Sequence, residues 1–242
     1  MIFFVVALAA WIAQPFTARN SAVCAVPCSR PIRASAPSTR QPFSARNPLV
    51  CAIPRSRPIR ASAPSFESSI ASAPSVCAAL QDGHGSAALS DLLATSSGAR
   101  GFFVNWLTDA SYTMADAATP PQALADALRS SPDQPMLAGL MLMNVAMPAG
   151  TALVHQRMGN AAGADASRLT ARRAMLLLRA MLPTQPALAP PLAALRAAVA
   201  AALGDGGGAG EADPYWADFL VRWGYDQEQL ELIRVALAEC EV

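Results

Sequence analysis

Nineteen consecutive residues, Met136 to Val154, carry no formal charge, and His155, Gln156 and Arg157 close the run. A stretch this long leaves two outcomes: a membrane-spanning helix, which needs about 20 apolar residues, or a helix at the centre of a protein core. The segment reads MLAGLMLMNVAMPAGTALV, and much of it is Ala, Gly and Met. Asn144 lies near its middle, and Pro148 removes one rung of the helical hydrogen-bond ladder. Aromatic residues do not flank it, and Arg157 alone is a thin basic border. These features favour a core helix, with a single span over residues 136–154 as the alternative. Asp133 suits its N-cap, with Pro135 in the first turn.

The flanking sequence repeats helical punctuation and shows no sustained alternation of β-branched residues, so the expected class is all-α. Ser86 can cap a short helix running towards Gly98. In GFFVNWLTD, residues Phe102, Phe103, Trp106 and Leu107 fall at helical spacing and read as a packing face. Thr119-Pro120-Pro121-Gln122 has the form of a capping box for a helix ending near Ser131. Gly159 to Gly163 reads as a turn, after which Asp165 or Ser167 starts a helix to Leu182, stopped by Pro183 and Pro186. Pro190 and Pro191 open an Ala-rich helix, and the glycine-rich residues 204–212 read as a flexible linker. Asp213-Pro214 and Asp226 with Gln229 then cap two final helices, joined at Trp223-Gly224-Tyr225-Asp226 into an aromatic-rich hairpin expected to pack on the central run. The expectation is one domain over residues 78–242, with six to eight helices around the long apolar one.

Charge divides the chain unevenly. All 18 basic residues are arginines, and eight of them lie before the first acid, Glu67. The other ten arginines face all 17 acids, which leaves the remainder seven charges negative. An acidic body excludes non-specific nucleic-acid binding, which rests on clustered cations neutralising phosphates. Met1 to Ala13 has the length and apolarity of a signal-peptide h-region. Residues 14–77 contain a 27-residue tandem repeat: QPFTARNSAVCAVPCSRPIRASAPSTR, then QPFSARNPLVCAIPRSRPIRASAPS, with an echo at Ile70 to Ala79. Too few large apolar residues occur in each copy to bury a face, so this leader is expected to be disordered. Its Arg- and Ser-rich, acid-free composition is that of an organelle transit peptide. Cys24 and Cys28 lack Cys or His partners at metal-site spacing, and beyond the leader Cys240 is the one remaining thiol.

A signal-like segment followed by a transit-like segment beginning near Phe16 resembles the bipartite presequences of algae with secondary plastids. That resemblance implies import into a plastid (chloroplast). The segments Gly98-Ala99-Arg100-Gly101-Phe102-Phe103 with Leu107-Thr108-Asp109, Met143-Asn144-Val145-Ala146-Met147, and Phe219 to Asp226 resemble an uncharacterised family of small plastid and cyanobacterial helical proteins. It implies a plastid location and carries no activity, cofactor or substrate over to this chain.

Several side chains remain as candidates for function. On a 100° wheel Arg168, Arg172 and Arg179 fall within 40° of one another, either as an anion-binding ridge or as a solvated face. Trp223, Tyr225 and Asp226 in the terminal hairpin offer a docking surface. Asn144 and His155 at the central run, beside Arg157, are possible ligands, although no second His, Cys or Asp stands at ligand spacing. The glycine-rich linker follows a helix and lacks the Lys-Ser/Thr of a phosphate loop. No catalytic set, metal site or cofactor is therefore expected. The leading expectation is a non-catalytic interaction or assembly factor with plastid protein partners. The alternatives are a single-span membrane accessory subunit and a small-molecule-binding or enzymatic helical domain.

Overall fold

The computed structural model describes residues 65–85, 87–205 and 213–241. The expected leader over residues 1–64, the Ser86 cap and most of the glycine-rich linker lie outside them. Among the described residues every regular element is helical: α1 (Phe66–Gln81), α2 (Ala87–Leu93), α3 (Ser96–Thr108), α4 (Gln122–Ser130), α5 (Gln134–Arg157), α6 (Ala161–Met181), α7 (Ala189–Leu203), α8 (Pro214–Trp223) and α9 (Gln227–Ala238). Short 3-10 turns at Thr113–Asp116, Pro186–Leu188 and Glu239–Glu241 complete them.

The charge-free run becomes α5, a 24-residue helix capped by Asp133, whose side chain accepts from the Met136 N–H at 3.0 Å. Leu137, Leu140, Leu142 and Val145 are fully buried. Each contributes about 1.5–3 kcal/mol of apolar transfer free energy. Of its most apolar 18-residue window, 72 % is buried inside the protein. The apolar surface that a membrane span would present to lipid is thus taken up by α6, α9 and their neighbours.

Helix α6 returns antiparallel to α5 through three residues. Gly159 adopts φ +69°, its N–H donates to Gln156 O at 3.0 Å, and Asn160 N–H donates to His155 O at 2.9 Å. This is the Schellman closure that a left-handed glycine permits. The Asn160 side chain then caps α6, accepting from Gly163 N–H at 2.9 Å. The expected start at Asp165 or Ser167 is corrected to Ala161, because Asn160 sits where one residue can end one helix and begin the next. The expected capping box at Thr119 is corrected as well: α4 starts at Gln122 with no side-chain cap. Thr119 and Pro120 each precede a proline, which pushes both out of the α region.

The largest revision concerns the domain boundary. Residues 66–77, read as the end of the leader, form most of α1, which Ser65 caps through the Ser68 N–H at 3.2 Å. Ser69, Ala73, Val76, Cys77 and Leu80 line its buried face. Helix α1 lies so close to α3 that a Cβ on Gly101 would come within 2.8 Å of the Ser69 backbone. Phe102, Phe103, Trp106 and Leu107 are all at most 2 % exposed and form the expected packing face. Trp106 stacks on Tyr112 at 5.8 Å, and the Tyr112 hydroxyl donates back to Pro74 O in α1 at 3.3 Å. The domain therefore begins at Phe66 and contains two buried thiols, Cys77 and Cys240. Burial pushes the Cys77 thiol up to about 12.

The terminal hairpin packs on α5 as expected. Tyr225 lies flat against Gly150, where a Cβ would stand 2.8 Å from its ring. Gln229 serves twice: its Oε1 accepts from Asp226 N–H at 3.0 Å, and its Nε2 donates to Gly150 O at 3.1 Å. Gly150→Ala is expected to displace Tyr225 and loosen α9, costing about 1–3 kcal/mol. A thermal melt checks this, since an unchanged midpoint would mean that the hairpin does not seat there.

Candidate functional site

The structure separates the candidate side chains into three places. Arg168, Arg172 and Arg179 are exposed along the outer ridge of α6. Arg168 is engaged by Asp165 at 3.0 Å and Gln156 at 2.6 Å, and Arg172 approaches Asp116 at 3.9 Å. Arg179 borders a shallow hollow of about 460 Å³, open to solvent, with Met175, Leu176 and Glu239. A carboxylate at its rim makes the hollow a poor anion site.

The second place is the junction of α5 with the terminal hairpin. Arg157 is bonded to both Asp226 and Glu228, so the α5 C-terminus is clamped to the start of α9. Hydrogen bonds from Arg157 hold the Asp226 carboxyl below its ordinary range. Tyr225 turns inward: its hydroxyl is buried without a partner among the described residues, and burial pushes its pKa up. Trp223 is half-buried. Of the expected docking residues, Tyr225 and Asp226 are thus spent on holding the hairpin in place.

At the third place, Asn144 donates to Leu140 O in its own helix at 2.8 Å, so its amide closes on the backbone. His155 is 8 % exposed and faces α6, its Nδ1 3.4 Å from Asn160 Nδ2. Among the described residues no group of three or more His, Cys, Asp or Glu side chains converges to hold a metal.

The most elaborate polar cluster involves a residue outside the candidate set. Arg173 is 1 % exposed. Its Nε and one terminal nitrogen donate to the two carboxylate oxygens of Asp116, at 3.1 and 2.8 Å. The other terminal nitrogen donates to Asp109 O at 2.7 Å. One guanidinium thereby joins α6 to the end of α3 and to the Thr113–Asp116 turn. Its place on the wheel, 100° from Arg172 and towards the apolar side, is the signal that separates it from the solvated ridge. The cluster is enclosed by backbone, which suits holding the fold together and leaves no access for a substrate.

Open apolar surface lies elsewhere, on α7 and α8. The 18-residue stretch Pro186–Leu203 has a mean hydropathy of 1.5, yet only 28 % of it is buried. Ala189, Ala193, Ala197 and Ala201 succeed one another at every fourth position and are all exposed. Beside it, α8 buries Trp216, Phe219 and Leu220 and leaves Val221 81 % exposed.

Residues 65–240 match the family model described as Uncharacterised conserved protein UCP020893. That start coincides with the cap of α1, one residue before the helix begins. Searches of curated proteins and of solved structures each returned no match.

Proposed function

The chain belongs to the family of Uncharacterised conserved protein UCP020893, and from its surface we propose that it is a plastid-targeted, non-catalytic helical protein acting through protein–protein contacts. One observation carries the reading. Helix α7 is as apolar as a core element and lies mostly at the surface. Contiguous apolar surface on a folded domain marks a place where another macromolecule sits. Small side chains at every fourth position also let a second helix approach closely. The buried polar groups support the same division of labour, since Arg173, Gln229 and Asp133 each stabilise a junction between elements. Plastid import rests on the acid-free, arginine-bearing tandem repeat behind Met1 to Ala13.

The test is quantitative affinity capture with the full chain from plastid-bearing cells, comparing the natural sequence with Ala197→Glu. Ala197 is exposed, so the substitution should change stability by less than about 0.5 kcal/mol. The expected outcome is a defined set of plastid proteins held by the natural chain and lost with the variant. Identical capture by both would remove α7 from the interface, and capture of none would remove the interaction reading.

The same helix favours a second reading, association with a membrane, because its apolar window meets the length of a span while little of it is buried. Washing plastid membranes with alkaline carbonate separates the two. Release supports the protein partner, and retention supports the bilayer.

A further inference from the structure

Helix α8 exposes Asp218, Val221 and Arg222 on the side away from Trp216, Phe219 and Leu220. Val221 is the most exposed large apolar side chain among the described residues, at 81 %. A lone exposed valine needs no explanation. Here, however, it lies on a helix packed beside α7, whose outer positions Ala189, Ala193, Ala197 and Ala201 carry no charge. The two helices together form the apolar surface on which the proposed function rests, and the present inference names its occupant.

The charges on α8 have an order that matters. Asp218 and Arg222 are four residues apart, so on a helix of 3.6 residues per turn they share one flank of Val221. Among the described residues neither makes an ion pair within the chain. When two identical helices meet antiparallel across a two-fold axis, the same flank of each faces the same side and the chain direction is reversed. Asp218 of one copy then stands opposite Arg222 of the other, the reverse pair follows by symmetry, and the two Val221 side chains meet beside the axis. An unrelated partner would need the opposite order of charges at the same spacing, whereas a second copy supplies it automatically.

We propose that this chain self-associates as an isologous dimer through α8, with the alanine face of α7 alongside. Helix α7 is 15 residues long, or about 22 Å, and two neighbouring helices are about 20 Å wide. The face therefore buries on the order of 400 Å² per copy, roughly 800 Å² in all, below the usual size of permanent interfaces. The dimer is accordingly weak, with a dissociation constant in the micromolar range.

Sedimentation of the full chain in reducing buffer, from about 1 to about 300 μM, tests the proposal in the concentration range where such a dimer dissociates. The natural chain should pass from monomer to dimer. Asp218→Arg and Arg222→Asp should each weaken dimerisation at least about tenfold, because each creates two like-charge contacts per dimer. The variant carrying both changes should recover the natural affinity to within about threefold, and an equimolar mixture of the two single variants should form the mixed dimer. A monomer at every concentration, or a dimer indifferent to both charge reversals, overturns the proposal. If the chain is monomeric yet still captures plastid proteins in an Ala197-dependent manner, self-association fails and the interaction reading stands. If capture also fails, both fall.

Discussion

A chain that begins at Ser65 is expected to unfold in one cooperative transition, whereas one that begins at Ala78 should lose on the order of 5 kcal/mol and fail to hold its N-terminal half together. The shorter chain gives up Ala73, Val76 and Cys77, which are at most 6 % exposed, and with them the cover over Phe102 and Phe103. It also loses the Pro74 carbonyl that receives the Tyr112 hydroxyl. Gly101 would be left facing water across a gap shaped for the backbone of Ser69. A loss of this size is comparable to the entire stability of many domains. Denaturant unfolding followed by tryptophan fluorescence measures it, because Trp106 lies beneath the missing turn. Equal midpoints for the two chains would mean that α1 is not part of the cooperative unit.

Removing Asp116 should cost more than removing Arg173, although both break the same ion pair. Arg173 is 1 % exposed on its side chain, whereas the Asp116 side chain is 30 % exposed. Asp116→Ala strands a guanidinium that water cannot reach, at an expected cost of about 4 kcal/mol. Arg173→Met leaves a carboxylate that water can reach, and fills the space with an apolar chain of similar length. Its cost should be about 2 kcal/mol, partly from the Asp109 and Trp106 carbonyls that lose their donor. For a domain of this size these values correspond to drops in melting temperature of about 8–16 °C and about 4–8 °C. The double variant should cost less than the sum, since the two groups act as one unit. Hydrogen bonding from Arg173 holds the Asp116 carboxyl below its ordinary value of 3.8. The stability from this depressed carboxyl is fully present above that value and is lost as pH falls through the lower folded value. Asp116→Asn should therefore flatten the acid limb of the stability curve below about pH 4. Equal costs for the two truncations would mean that Arg173 is solvated when the domain is folded.

Local chemistry was legible wherever a residue acts on its own backbone neighbours. Asp133, Asp213 and Asp226 each cap the helix they were expected to cap, because a carboxylate reaches an N–H two or three positions ahead regardless of what surrounds it. The aromatic face of α3 and the buried course of α5 followed from periodicity and length. The Asn160 cap was legible in principle, since a glycine followed by an asparagine is a common way to end one helix and start another. It was obscured by Gly163, which looks like part of a turn and is in fact the third residue of α6.

What depended on distant residues could not be read in this way. The segment from Phe66 to Cys77 has the Ser, Ala and Pro composition of the leader before it, and its helix holds because α3 offers Gly101 and a wall of aromatics to pack against. Arg173 has the same formula as Arg172 next to it, and only the arrival of Asp116 and the Asp109 carbonyl from other elements makes one structural and the other solvated. Tyr225 reads as a docking residue until Gly150 is found beneath it. Composition and local hydrogen bonding, both short-range in the chain, determined the helical class, most helix starts and the acidic character of the domain. Tertiary packing, which pairs residues tens of positions apart, decided where the domain begins, which arginine is buried and which apolar face is left open for a partner.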